Sequence, residues 1–153
     1  KKVSVEDEVK DFLNKVFAAM DMQVEILINK DDANKYIDVE LKGDDMGVLI
    51  GKRGQTLDSL QYLTNLAINK HANEYYKVKI DTEDYRNRRK ETLENLAKNI
   101  SYKVKRTKRA VSLEPMNPFE RRIIHSALQN DKYVSTHSEG EEPYRHVVVT
   151  LKK

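Results

Sequence analysis

The residues best suited to bind a charged ligand form the motif Gly51-Lys52-Arg53-Gly54. Glycine has no Cβ, so the two glycines let the backbone approach a ligand closely, and the two cations between them supply positive charge. An apolar turn at residues 46–50 precedes the motif, and a helical pattern begins with Gln55 directly after it. The first turn of such a helix offers amide hydrogens and the positive end of its dipole to an anion. The motif therefore predicts a clamp for phosphate groups.

A second cationic pair, Arg121 and His125, has a spacing of four residues, which places both side chains on one face of a helix. Because an ideal helix turns by about 100° per residue, the neighbouring apolar side chains fill one arc and the pair lies just beyond its edge. We expect the pair to be anchored by packing and open to a ligand. Arg122, Lys108 and Arg109 add positive charge nearby in the sequence. A solvated surface His beside an Arg is the alternative interpretation.

Positive charge is concentrated in the middle of the chain, although the formal net charge of the whole is only +3. Residues 1–83 carry 12 Lys and Arg against 16 Asp and Glu, residues 84–125 carry 12 against 5, and residues 126–153 carry 4 against 4. The middle segment therefore has a net charge of +7. Such a segment indicates a polyanionic ligand, and a solvated helix face is the alternative.

The composition of the 153 residues restricts the possible classes of protein. A hydrophobic fraction of 39% is enough for a buried core, in one ordinary domain or two small ones. Cysteine is absent, which excludes disulfides, zinc–thiolate sites and cysteine nucleophiles. No apolar run approaches the roughly 18 residues of a membrane span, and the first residues do not form a signal-peptide core. Because the sequence does not begin with Met, we expect a fragment of a longer protein.

The first 81 residues predict a layer of three strands covered by three helices on one face. The predicted order is helix 5–20, strand 23–29, strand 36–41, short helix 46–50, the glycine corner, helix 55–71 and strand 76–80. Ser4 is the expected cap of the first helix, and the first two strands are expected to form an antiparallel hairpin. Asp44 and Asp45 are expected to cap the short helix.

Residues 82–153 predict a second small domain of helices and strands. The polar cluster at residues 81–83 is the predicted boundary between the domains and the start of a long basic helix. The predicted order is helix 83–106, strand 110–113, helix 118–129 and two strands, 133–136 and 144–151, joined by a polar loop. Asn117 and Pro118 together are a strong signal for a helix start. The whole chain is therefore expected to be α+β, with domains at residues 1–81 and 82–153.

The first domain resembles the KH domain in its type II arrangement, with the element order αββααβ. The resemblance depends on Ile50-Gly51-Lys52-Arg53-Gly54 together with the elements around it, because two glycines alone are common in turns. KH loops grip the backbone of about four single-stranded nucleotides. The resemblance implies that the Gly51–Gly54 loop clamps a sugar-phosphate chain, and that the helix from Gln55 and the neighbouring strand form a groove for bases. An ordinary corner between two helices is the alternative. A phosphate-loop NTPase is disfavoured because no Ser or Thr follows the Lys.

The second domain resembles the single-stranded nucleic-acid-binding domain that is named after its Arg-x-x-x-His motif. This resemblance implies that Arg121 and His125 contact phosphate or sugar, with Arg122, Lys108 and Arg109 on the basic surface around them. In this order the two domains resemble one bacterial family, the Jag proteins, also called SpoIIIJ-associated or KhpB proteins. Members of that family usually have a further N-terminal domain and a charged linker, so we expect both to be missing from this sequence.

The family resemblance implies a cytoplasmic, non-catalytic protein that binds single-stranded RNA. It further implies a regulator connected with cell elongation, division or envelope synthesis. The expected partners are single-stranded RNA and either a small KH-only protein or a second copy of the chain, paired through the KH domain, with no membrane insertion.

Three other functions are weighed against RNA binding. Single-stranded DNA is an alternative ligand, because no feature of the sequence reads the 2′-hydroxyl group. A protein-interaction scaffold is a second alternative, with an apolar surface around Tyr62, Tyr75 and Tyr76. An enzyme would need a nucleophile–base pair, a carboxylate dyad or a metal site. The four histidines at positions 71, 125, 137 and 146 show no ligand spacing, so we expect no catalysis, no cofactor and no metal.

Overall fold

The computed structural model describes residues 3–70 and 72–153, which form two compact units. The first unit ends at Arg86 and the second begins at Asn87, so the division falls just inside the long helix α4 (Tyr85–Thr107). Each unit has a hydrophobic core of its own. The predicted α+β class is confirmed.

The first unit has the predicted order of helices and strands. Its elements are α1 (Val5–Ala19), β1 (Glu25–Asp31), β2 (Tyr36–Lys42), α2 (Met46–Ile50), a 3₁₀ turn (Lys52–Gly54), α3 (Gln55–Asn69) and β3 (Lys77–Asp81). This order confirms the predicted αββααβ arrangement. His71, the predicted end of the helix here named α3, lies outside the described residues.

β2 is the middle strand of a three-stranded sheet, antiparallel to β1 and parallel to β3. Because successive side chains of a strand point to opposite faces, Ile37, Val39 and Leu41 all lie on one face of β2, where they are buried. Buried side chains from α1, α2 and α3 join them in a single core. The core fixes α2 and α3, and with them the loop that connects the two helices.

Polar residues at the helix starts confirm one predicted cap and contradict another. Ser4 caps α1 by accepting a hydrogen bond from the amide of Asp7 at 3.2 Å. The predicted capping of α2 by its preceding aspartates is wrong at Asp45. An N-cap residue needs extended backbone, but Asp45 has φ −114° and ψ 38°, and within the described chain its side chain makes no cap hydrogen bond.

The second unit contains the rest of α4 and a three-stranded sheet. Its other elements are β4 (Val111–Ser112), α5 (Pro118–Leu128), β5 (Val134–Glu139) and β6 (His146–Leu151). β6 lies between β4 and β5 and is antiparallel to both. The predicted order of long helix, short strand, helix and hairpin is confirmed. β5 extends beyond the predicted end of its strand, because the backbone of Glu139 still pairs with that of His146.

The ends of the two helices in this unit show where local signals were sufficient and where they were not. Asn117 caps α5 as predicted, because its side chain accepts the amide of Glu120 at 2.8 Å. The predicted start of α4 at Glu83 is wrong. Glu83 and Asp84 have φ values of 54° and 53°, which lie outside the right-handed helical region.

Candidate nucleic-acid interface

The Gly51–Gly54 loop is packed against its own unit at both glycines. Gly51 has φ 70° and ψ −174°, a conformation that is essentially restricted to glycine. A Cβ at Gly51 would lie 2.3 Å from Oγ1 of Thr56, and a Cβ at Gly54 would lie 2.7 Å from a ring carbon of Tyr85. Both glycines are therefore required by close packing, and the loop backbone has little freedom to move.

Lys52 and Arg53 form the turn between the glycines and bring two cations to the start of α3. Lys52 is exposed, Arg53 is half-buried, and Gln55, the first residue of α3, is exposed. Gly54 occupies the N-cap position without a side chain that could bond the first amides of the helix. The positive end of the helix dipole thus adds to the charge of Lys52. This end of the loop is suited to bind an anion.

Amide side chains of α3 fill the seam between that helix and β3, where the sequence predicted a groove for bases. Asn65 donates to the carbonyl oxygen of Val78 at 2.9 Å and accepts the amide of the same residue at 2.8 Å. Asn69 donates to the carbonyl oxygen of Tyr76 at 2.8 Å and accepts its amide at 3.0 Å. The helix therefore bonds the free edge of β3 much as another strand would.

The seam is completed by Gln61 and Arg86. The side-chain oxygen of Gln61 accepts the amide of Ile80 at 2.8 Å, and Nε of Arg86 donates to the carbonyl oxygen of Ile80 at 2.9 Å. Nη1 of Arg86 also pairs with Asp58 at 2.7 Å, which offsets an acidic charge in the first turn of α3. The seam is closed, in contrast to the predicted groove. Amides at every fourth position of the helix were the sequence signal for this contact.

Arg121 is buried on α5, with only 8% of its surface exposed. Its Nη1 donates to the carbonyl oxygen of Met116 at 2.6 Å and pairs with the carboxylate of Glu142 at 2.7 Å. The expectation that Arg121 is open to a ligand is wrong, because helical periodicity takes no account of the loop between β5 and β6, which carries Glu142. A guanidinium recognises carboxylate and phosphate through the same planar fork of donors. The half-exposed Glu142 therefore stands where a phosphate would bind.

His125 is half-buried and held by two hydroxyl groups of β5. Its Nδ1 lies 2.7 Å from Oγ1 of Thr136, and its Nε2 lies 3.0 Å from Oγ of Ser138. Burial, followed by the positive charge of Arg121, lowers the pKa of His125 below its ordinary value of 6.5. The ring is therefore neutral at pH 7 and contributes hydrogen bonds rather than charge. The sequence analysis missed Thr136 and Ser138, although their alternation along a strand was a signal.

The remaining predicted cations are exposed on their own elements. Arg122 follows Arg121 on α5, while Lys108 and Arg109 follow the end of α4. The amide of Lys108 bonds the carbonyl oxygen of Val104 at 2.8 Å, which closes the last turn of α4. The structure thus joins Arg121 and His125 to the hairpin and leaves the other three side chains at the surface.

Metal binding and membrane insertion were both considered. Within residues 3–70 and 72–153, no group of three or more His, Asp or Glu side chains could hold a metal ion. In the same part of the chain, none of the helices combines the length and apolar character that a membrane span requires. His71, which the sequence analysis included among the histidines, lies outside the described residues.

The fold and these sites define a protein with a KH domain followed by an Arg-x-x-x-His domain. The model of the KH domain of KhpA and KhpB matches residues 6–80, and the model of the Arg-x-x-x-His domain matches residues 91–151. The chain is 65% identical over all 153 residues to the RNA-binding protein KhpB of Clostridium symbiosum, of which it covers 69%. The chain belongs to the KhpB family, as the resemblance of its motifs predicted.

Two further relatives share their name with the first and are longer than this chain. The RNA-binding protein KhpB of Bacillus subtilis (strain 168) is 41% identical over 124 residues, which are 80% of the chain and 60% of that protein. The RNA-binding protein KhpB of Lactiplantibacillus plantarum is 40% identical over 126 residues, which are 82% of the chain and 39% of that protein. The chain therefore spans between about two fifths and two thirds of these three relatives.

Proposed function

We propose that this chain binds single-stranded RNA through its KH and Arg-x-x-x-His domains and catalyses no reaction on it. The observation that carries the proposal is the exposed Lys52, held between two tightly packed glycines at the start of α3. The printed name of the relatives, RNA-binding protein KhpB, supports RNA as the ligand and supports a binding protein rather than an enzyme.

In this proposal the Gly51–Gly54 loop grips the sugar-phosphate backbone. Lys52 and Arg53 neutralise phosphates, and the first amides of α3 donate to a phosphate oxygen. Contacts to phosphate carry no sequence information by themselves, and the amides of α3 already occupy the free edge of β3. We therefore expect weak base preference. Affinity should fall as salt rises, with a slope of roughly −0.7 for each phosphate that a cation neutralises on a single strand.

The Arg-x-x-x-His domain contributes a second contact in this proposal. Displacement of Glu142 by a phosphate would transfer Arg121 from a carboxylate to the ligand without leaving the buried guanidinium unpaired. His125, with Thr136 and Ser138, would offer hydrogen bonds to the sugar or phosphate. Arg122, Lys108 and Arg109 extend the basic surface.

Charge reversal in the loop tests the proposal. The double variant Lys52→Asp, Arg53→Asp should lose at least about tenfold in affinity for a labelled single-stranded oligoribonucleotide, because two phosphate-binding cations become repulsive. The matched control, Lys10→Asp with Lys15→Asp, changes the net charge equally on exposed positions of α1. The control should bind within about twofold of the parent. Equal binding by the loop variant and the parent, with circular dichroism unchanged, would refute the proposal. The same assay with a DNA oligonucleotide of identical sequence separates RNA from DNA as the ligand.

An exposed apolar stripe on α3 favours a second function, pairing with another KH domain. Tyr62, Leu63 and Leu66 are 64%, 51% and 53% exposed, which is unusual for large apolar side chains on one helix face. The proposed partner is a small KH-only protein or a second copy of this chain. Light scattering of the chain, alone and with Leu63→Asp and Leu66→Asp, measures self-pairing. A dimer that persists in this variant would contradict the assignment of the stripe.

We also infer a cytoplasmic role for the whole protein in regulating RNA connected with cell elongation, division or envelope synthesis. Membership of the KhpB family supports this inference. In the bacterium, replacing the native loop by Lys52→Asp with Arg53→Asp should alter cell length or shape at unchanged protein level. Normal cells with this variant would argue that the role does not depend on the loop.

A further inference from the structure

The C-terminal half of α4 carries a cationic surface that neither site described above uses. No Asp or Glu occurs between residue 95 and residue 113. The cations in this stretch are Lys98, Lys103, Lys105, Arg106, Lys108 and Arg109. Positive charge of this density on one helix and its continuation attracts a polyanion.

Tyr102 lies in the middle of this surface with 70% of its area exposed. Lys98 and Arg106 are four residues before and after it, so all three side chains project from the same side of the helix, and Lys103 adjoins them. All three cations are exposed, and in the described ranges none of them forms an ion pair. An exposed tyrosine is ordinary by itself, but one surrounded by unneutralised cations combines the two features that single-stranded nucleic acid requires.

Tyr133 extends the surface onto the segment before β5. It is 59% exposed, and Nζ of Lys105 lies 5.2 Å from the centroid of its ring. Lys105 also pairs with Asp131 at 3.1 Å, and the hydroxyl of Ser101 donates to Asp131 at 2.9 Å. These contacts fix the start of β5 against the part of α4 that carries Tyr102. Both exposed rings therefore belong to one structural neighbourhood of the second unit.

We propose that these residues, Lys98, Tyr102, Lys103, Arg106 and Tyr133, form a further binding site for single-stranded nucleic acid, here named the α4 surface. A base stacks on the ring of Tyr102, and the cations on either side hold the flanking phosphates. Charge alone would suit any polyanion, but an exposed ring among cations selects a ligand whose bases are unstacked and free to turn outward. The inference rests on the proposed function in taking nucleic acid as the ligand.

The α4 surface is separate from the pair formed by Arg121 and His125. Tyr133 lies just before the first residue of β5, whereas His125 contacts Thr136 and Ser138 further along the same strand. At about 3.3 Å per residue, Tyr133 and Ser138 are roughly 17 Å apart. The ends of β5 thus carry two different contacts, and a strand bound at one leaves the other free.

Substitution of Tyr102 in the full chain tests the α4 surface, with fluorescein-labelled oligouridylate as the probe. Tyr102→Ala should weaken binding about fivefold or more, whereas Tyr102→Phe, which keeps the ring, should bind like the parent. Lys98→Gln with Arg106→Gln should reduce the salt slope by about 1.4, as expected for two phosphate contacts on a single strand. The control is Tyr75→Ala, because Tyr75 is 66% exposed and lies in the first unit. It should bind like the parent.

The outcomes distinguish this inference from the proposed function. Parent-like affinity of Tyr102→Ala, together with lost affinity of Lys52→Asp, Arg53→Asp, would overturn the α4 surface alone. Weakened binding by Tyr102→Ala, with parent-like binding by the loop variant, would support the α4 surface and refute the proposed role of the KH loop. Equal loss for Tyr102→Ala and Tyr102→Phe, or equal competition by double-stranded RNA, would overturn the stacked base.

Discussion

Replacing Gly51 by Ala should destabilise the phosphate-binding loop without changing any charge. The new Cβ would lie 2.3 Å from Oγ1 and 2.9 Å from Cβ of Thr56, both closer than non-bonded atoms approach. The backbone nitrogen of Thr56 is 3.1 Å from the same position, so rotation of the threonine side chain cannot relieve the whole contact. The φ of 70° and ψ of −174° add strain of about 1–3 kcal/mol for any residue except glycine.

Clash and strain together predict a loss of about 2–4 kcal/mol in the free energy of unfolding of the first unit. Gly47 is the matched control, because it lies in the preceding helix α2 and a Cβ there would meet nothing within 4 Å. Alanine is favoured over glycine in a helix by up to about 1 kcal/mol. Gly47→Ala should therefore keep or slightly raise stability, while the same substitution at Gly51 lowers it.

Urea denaturation followed by far-ultraviolet circular dichroism measures both changes, and the same samples can be titrated with RNA. We expect Gly51→Ala to unfold at lower urea concentration and to bind RNA more weakly, and Gly47→Ala to match the parent in both. A Gly51→Ala protein as stable as the Gly47→Ala protein would refute the argument that packing fixes the loop. Full stability with lost RNA binding would instead place the effect of the methyl group on the ligand.

Two predictions concern the Arg-x-x-x-His domain. Glu142→Gln removes the carboxylate paired with Arg121 and should raise RNA affinity about two- to fivefold, the value of a partly exposed pair; weaker binding in an anisotropy titration would mean that Glu142 supports the site. Burial opposes ionisation of Asp131, but the amide of Tyr133, the hydroxyl of Ser101 and the ammonium of Lys105 outweigh it and lower its pKa to about 2. This stabilisation is complete above pH 3.8 and is lost as the pH falls toward 2. Asp131→Asn should therefore cost about 2 kcal/mol at pH 7 and flatten the stability profile below pH 4; an unchanged acid transition in urea melts would contradict this.

The element order was predictable because each signal acts over a few residues. The alternation in residues 36–41 identifies β2, and the cap formed by Asn117 defines the start of α5 within one turn. The Gly51–Gly54 loop was recognisable for the same reason, since the glycines, the cations and the following helix are contiguous. Local sequence thus indicated the type of each domain and the residues of the loop.

Contacts between distant residues were not predictable in this way. The helical wheel placed Arg121 beside the apolar stripe but had no information about Glu142, which reaches it from another loop. The bonds of Asn65 and Asn69 to β3 depend on how α3 lies on the sheet. Both arrangements change the candidate site, one by covering a cation and the other by closing a seam.

An NMR titration of the ¹⁵N-labelled chain with a short single-stranded oligoribonucleotide tests the central claim most directly. If the RNA backbone lies on the Gly51–Gly54 loop, the amide resonances of Gly51 to Gln55 should shift more than any others in the first unit. The shifts should diminish as salt is added, because the contact depends on phosphate charge. Saturable binding that leaves these amides unshifted would contradict the account.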